Sequence, residues 1–208
     1  MSEIKDRILS KMLALAPTEG WNNHTLEMAA QQLGMDPKFA FVGFPEGATE
    51  AMVYYMRQLD TNMIQAFNKT NAADKRVRQK AIELISIRLD LLNKHKDAVK
   101  AILQFTIVPS HSITSAESLA TTCDVMWKAI GDTSTDFNYY TKRFLLGTVY
   151  SSTLMYWIKD ESPEYAETRR FLENRIEELF SVVRKKKSLI EGTSSFINKA
   201  FEKFNKRK

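Results

Sequence analysis

The stretch GDTSTDFNYYTKR, Gly131 to Arg143, with its continuation FLLGTVYSSTLMYW, Phe144 to Trp157, decides the fold class. A glycine, a group of capping residues and a long apolar run at helical spacing follow one another, with no alternating strand pattern. Gly131 suits the end of a preceding helix because it takes up positive φ without a Cβ penalty. Ser134, Thr135 and Asp136 carry side-chain oxygens that satisfy orphan N–H groups at a helix start, and Thr135 with Asn138 loosely has the spacing of a capping box. Tyr139 and Tyr140 then project about 100° apart on the new helix, so at most one faces a core squarely. The other lies at a boundary.

Outward from this stretch the chain reads as helix throughout. Ile4, Ile8, Met12 and Leu15 mark a first helix ending near Pro17 to Gly20. Thr25 is expected to cap a second, through Leu33, and Asp36 with Pro37 to open a short third. Longer helices are expected over Thr49 to Thr70, from Asp74 through Leu92, and from His95 to Phe105. The segment TIVPSHSIT, Thr106 to Thr114, reads as an irregular loop, since Pro109 removes a donor and restricts its predecessor. Ser115 starts the next helix, Asp136 to Ile158 forms another, and Ser162 with Pro163 opens one that reaches Lys185 to Lys187. The expected fold is all-α, with residues 1–187 as one domain of about nine helices. Its first 46 residues form a helix-turn-helix-like trihelical unit, and residues 188–208 form a basic amphipathic helix.

A chain of 208 residues is long enough for one sizeable core. A single Cys123 excludes an internal disulfide and, on an apolar helix, reads as an inert core residue. The opening residues MSEIKDRILSKM have neither the apolar run of a signal peptide nor a transit-peptide bias. Taken with the family resemblance given below, the expected location is a bacterial cytoplasm, peripheral on the inner membrane, or the matrix side of the mitochondrial inner membrane if the source is eukaryotic.

Charge separates the possible partners. From Arg184 to Lys208 there are nine Lys/Arg against Glu191 and Glu202, a net of +7, which leaves −2 for the preceding 183 residues of a chain at +5. An anionic partner is thus expected for the tail and not for the body. The trihelical head would suit a DNA-binding unit, but Gly20 to Glu50 holds Lys38 alone against Glu27, Asp36, Glu46 and Glu50. A phosphate backbone would be repelled, so no nucleic acid is expected.

Catalytic patterns are missing as well. His24, His95 and His111 are scattered and none stands three residues after a Glu, so the helical di-iron pattern is absent. No phosphate loop or nucleophile elbow occurs. Neither a cofactor, a metal nor an enzymatic activity is expected. Met52, Met56, Met63, Met126, Trp127, Phe144, Tyr150, Met155 and Trp157 could fill a core or line a cavity for a flexible apolar ligand. In the tail, Leu189, Thr193, Phe196 or Ile197, Phe201 and Phe204 recur at three and four among Lys199 and Lys203. Such a helix can lie in a headgroup plane or dock on the body.

The run GDTSTDFNYYTKR, the segment DESPEYAETRRFLENRI from Asp160 to Ile176, and the pair Gly20–Trp21 resemble the ubiquinone biosynthesis accessory proteins of the ninth Coq family, over nearly the whole chain. The resemblance implies the fold of TetR-type repressors without DNA binding, an isoprenoid quinone or phospholipid ligand, and a membrane-associated last helix. It further implies a homodimer and a partner, the di-iron hydroxylase of demethoxyubiquinone. On this basis Asp124, Met126, Tyr139, Tyr140 and Arg143 are expected to meet the hydroxylase; the family often has Trp where Tyr139 stands. Leu103, Phe105, Met126, Ile130, Phe144, Leu145, Thr148 and Met155 are expected to line the lipid pocket, with an entrance near the Thr106 to Thr114 loop. Leu189, Phe196, Ile197, Lys199, Phe201, Lys203 and Phe204 are expected at the membrane. The alternative is a TetR-like regulator with a hydrophobic effector pocket.

Overall fold

The computed structural model describes residues 2–72, 74–133 and 137–181, with Phe137 and Asn138 described through their backbone only. The described residues are helical with short connections and contain no strand. The capping group Ser134 to Asp136 and every residue expected at the membrane lie outside them.

Helix α1, Ser2–Glu19, buries Ile8, Leu9, Met12, Leu13 and Ala16 on one stripe. Helix α2, Asn23–Gln32, is capped by Asn22, whose side chain accepts from Thr25 N–H at 3.0 Å. This corrects the expected cap: Thr25 is buried, and its hydroxyl donates to the Gly20 carbonyl at 2.8 Å. Asp36 accepts from Lys38 N–H at 2.8 Å and opens a 3₁₀ turn, Pro37–Phe39, that leads into the one-turn α3, Ala40–Gly43. The head is fastened to the start of α4, Gly47–Phe67, by two bonds. Trp21 Nε1 donates to Ala48 O at 2.9 Å, and Ala48 N–H donates to Asn23 Oδ1 at 2.8 Å.

Helices α4, α5 (Val77–Asn93), α6 (Lys96–Ile107), α7 (Pro109–Ile130) and α8 (Phe137–Trp157) pack around the main core. The loop expected over Thr106 to Thr114 does not exist. Val108 alone is non-helical, at φ −67 and ψ 129, and Pro109 is the first residue of α7. Proline at that position gives up a hydrogen bond the helix would not have made, while its predecessor is driven into extended backbone. The same residue that looked like a breaker therefore starts the helix. After α8, Asp160 is buried and accepts from Ser162 N–H at 2.8 Å, Thr168 N–H at 2.9 Å and Thr168 Oγ1 at 2.5 Å. These bonds hold the turn Pro163–Tyr165 against α9, residues 166–181, which buries Leu172 and Ile176. No described helix is long and apolar enough to cross a membrane.

Candidate functional site

Gly131 ends α7 at φ 98, with its N–H bonded to Lys128 O and that of Asp132 to Trp127 O, both at 3.0 Å. This paired closure is the Schellman arrangement, and it turns Asp132 back toward α8. Farther along, Gly147 of α8 packs over Cys123 of α7, where a Cβ would make ordinary contact with Sγ at 3.5 Å. Burial pushes the Cys123 thiol up to about 12, so it stays protonated and inert.

On the outer face of this helix pair lies an apolar groove of about 720 Å³ between Ala116, Leu119 and Ala120 of α7 and Tyr140, Phe144 and Thr148 of α8. One end is built from charge. Arg143 donates from Nε to Asp124 Oδ1 at 2.9 Å and from Nη1 to Asp132 Oδ2 at 2.8 Å, and its guanidinium lies 3.6 Å from the centre of the Tyr139 ring. Tyr139 donates its hydroxyl to Asp124 at 2.9 Å, and Lys128 pairs with the other Asp124 oxygen at 2.6 Å. Although burial opposes it, Lys128, Arg143 and Tyr139 hold the Asp124 carboxyl below its ordinary range. The Tyr140 ring stands edge-on to Tyr139 with centroids 5.1 Å apart, and Tyr140 is 71% exposed.

Inside the bundle is a second, narrower cavity of about 260 Å³, walled by Met52, Met56, Leu92, Ile102, Leu103 and Leu154. Ala116, Leu119 and Ser151 line both the cavity and the groove, so the two abut across the α7–α8 seam. A polar nest drawn from four helices closes one wall. Arg88 (α5) donates to the Tyr150 hydroxyl (α8) at 2.8 Å, to Asp60 (α4), and more loosely to Thr122 Oγ1 (α7) at 3.3 Å. Burial raises the Asp60 carboxyl above its ordinary range, against the pull of Arg88 and Thr122. The Tyr55 hydroxyl, buried beside the nest without a hydrogen-bond partner among the described residues, is pushed up to about 12 by burial.

The structure brings Asp124, Tyr139, Tyr140 and Arg143 together, while Met126 is fully buried and does not share their surface. It also divides the residues expected to line one lipid pocket. Leu103 lines the cavity, and Phe144 and Thr148 line the groove. Phe105 and Leu145 are half-buried outside both, Met126 and Ile130 are core, and Met155 is exposed near α9. The reason is that α8 carries two apolar stripes: Leu146, Tyr150, Thr153 and Trp157 face inward, while Phe144, Thr148 and Met155 face out. Tyr150 was among the residues that could line a cavity, whereas the buried Asp60, Arg88 and Thr122 were not expected at the site. Their signal was a charge on an apolar stripe, Arg88 among Leu84, Ile85, Leu89 and Leu92. Among the described residues no group of His, Cys, Asp and Glu could hold a metal ion.

A family model described as COQ9 matches residues 113–183, which cover most of α7, all of α8 and α9. Over 188 residues the chain is 30% identical to the human protein named ubiquinone biosynthesis protein COQ9, mitochondrial, covering 86% of this chain and 58% of that one. A Dictyostelium discoideum protein named probable ubiquinone biosynthesis protein coq9, mitochondrial, is 23% identical over 210 residues, 98% of this chain and 68% of its own length. The chain thus spans a little over half the length of its human relative. Among solved structures, a TetR transcriptional regulator from Nitrosomonas europaea superposes with a TM-score of 0.70 at 19% identity, over 85% of this chain and 98% of its own. A Rhodococcus TetR regulator gives 0.64 at 14%, over 86% and 97%. The fold is all-α and TetR-like.

Proposed function

The chain belongs to the COQ9 family, and from that premise we propose that it is a non-catalytic, lipid-binding accessory protein of ubiquinone biosynthesis, holding a prenylated quinone intermediate at a membrane and offering it to the demethoxyubiquinone hydroxylase. The observation that carries this reading is the contact between cavity and groove through Ala116, Leu119 and Ser151. An apolar track leads from the interior to the exposed Tyr140 and Phe144. Drawing a prenyl chain from a bilayer exposes apolar area at about 25 cal/mol per Å²; an apolar track beside the membrane lowers that cost by exchanging lipid contacts for protein contacts. The iron chemistry belongs to the partner.

Tyr139, Tyr140 and Asp124 form the face offered to the hydroxylase, with Arg143 fixing their geometry from beneath; aromatics and Arg are the residue types enriched at interface centres. The basic residues 188–208 supply the membrane contact, and two copies of the chain form the working unit. Lipid extraction and mass spectrometry of the purified chain should recover isoprenoid quinone or phospholipid. A consistently lipid-free protein overturns the lipid reading and leaves an adaptor. The double variant Tyr140→Ala/Arg143→Ala should weaken hydroxylase binding by about tenfold or more, which is about 1.4 kcal/mol; unchanged affinity removes this face from the interface. The regulator alternative requires a cationic head, which Gly20 to Glu50 does not provide.

A further inference from the structure

The interior cavity is not lined as a hydrocarbon sleeve would be. Besides the hydroxyls of Thr106, Ser112, Ser115, Ser118 and Ser151, its lining carries the donors of Arg88, Thr122 and Tyr150, whereas Asp60, the acceptor that neutralises Arg88, is not among the lining residues. The nest therefore turns its donor side to the cavity and its acceptor side away. Most of those donors are already used. The Thr122 hydroxyl donates to Asp60 Oδ2 at 3.3 Å, and Arg88 Nη2 is taken by Thr122 Oγ1 at 3.3 Å and Met56 Sδ at 3.6 Å. The Tyr150 hydroxyl accepts from Arg88, and no described group accepts its proton.

We propose that the Tyr150 hydroxyl, oriented by Arg88, is a receptor for one uncharged oxygen of the bound lipid, so that the cavity selects neutral, oxygen-bearing lipids over fatty-acid anions and over hydrocarbons. The inference rests on the lipid reading above and adds a chemical class to it. The sign of the selection follows from charge. Arg88 is 1% exposed and already paired with Asp60, so the nest is neutral overall. A carboxylate entering the cavity would be a second buried anion sharing one cation, and burial makes such an imbalance costly. A neutral carbonyl, methoxy or ester oxygen accepts from the Tyr150 hydroxyl and brings no charge. A hydrocarbon leaves that donor unmet, and sites built to bond a polar group discriminate strongly against analogues that lack it.

The experiment titrates delipidated full-length chain, by isothermal calorimetry, with methyl oleate, oleate, 8-heptadecene and a ubiquinone bearing a decyl side chain. Methyl oleate should bind at least tenfold tighter than both oleate and 8-heptadecene. In Tyr150→Phe its advantage over the hydrocarbon should fall below threefold while 8-heptadecene affinity holds, which also shows that the variant keeps its cavity. Preference for the decyl ubiquinone over methyl oleate would assign the oxygen to a quinone ring; the reverse would assign it to a lipid ester. Equal binding of ester, anion and hydrocarbon by the native chain overturns the proposal while sparing the lipid reading. So does a preference untouched by Tyr150→Phe. No binding of any probe overturns both.

Discussion

Arg88 and Arg143 stand on helices α5 and α8, and each is held by aspartate and tyrosine, yet the two clusters differ in burial and balance. Arg88 has one carboxylate, is sealed in the core, and holds the Tyr150 hydroxyl, whose proton no described group accepts, at the wall of a cavity. Arg143 has two carboxylates, Asp124 and Asp132, with Lys128 and Lys142 completing the charge at the protein boundary, and its flat guanidinium is stacked on Tyr139. The inner cluster leaves capacity for something else to bind. The outer one uses its capacity on itself and fixes the shape of a face. The same residue types therefore make a receptor in one place and a scaffold in the other.

The sharpest way to break the comparison is to remove both cations. Arg88→Met leaves Asp60 buried without its partner and should cost about 3–5 kcal/mol in urea unfolding. Arg143→Gln, whose two aspartates keep Lys128 and Lys142, should cost about 2 kcal/mol. Pairing Arg88→Met with Asp60→Leu should recover most of the inner loss, because well-packed apolar residues often replace a buried ion pair without penalty. Equal costs for the two single variants would mean that the inner pair is no more isolated from solvent than the outer.

Asp160 sharpens the contrast as a buried carboxylate satisfied by hydrogen bonds. Burial acts to raise its pKa, but bonds from Ser162 and Thr168 outweigh this and hold it well below the usual carboxylate range. A carboxyl depressed in the folded state contributes stability above its unfolded pKa of about 3.9 and loses that contribution as pH falls. Asp160→Asn should thus cost about 1 kcal/mol at pH 7, with the gap to the native chain narrowing from about pH 5 downward. A gap that stays constant through this window would show that the carboxylate charge is irrelevant to the turn before α9.

The fold was largely legible because helical spacing and end signals agree. Gly131 closes α7 as its lack of a Cβ implies, and Asp36 with Pro37 opens the turn where expected. Pro109 was misread because proline is both a breaker within a helix and a starter at its first position, and the sequence alone does not say which position it holds. Asp124, Tyr139 and Arg143 came together only through the family resemblance; the structure joins them across α7 and α8. The site was not legible where residues are apolar: Phe144 and Leu146 are alike in pattern, and only the packing of α8 against α7 decides that one is 75% exposed and the other buried. The polar nest lay within reach of pattern reading, since Arg88 occupies a core position that solvent-seeking residues avoid.

The smallest expected effect on stability is also the most discriminating for the outer face. Tyr140 is 71% exposed, and its described ring contact is the edge-on approach to Tyr139. Nothing in the core depends on it, so Tyr140→Ala should change unfolding free energy by no more than about 0.5 kcal/mol, as surface substitutions generally do. On the proposed function the same variant should lower hydroxylase affinity severalfold. If instead Tyr140→Ala destabilises the chain as much as Arg143→Gln, its ring is part of the scaffold and the partner face must be sought farther along the groove, at Phe144 and Thr148.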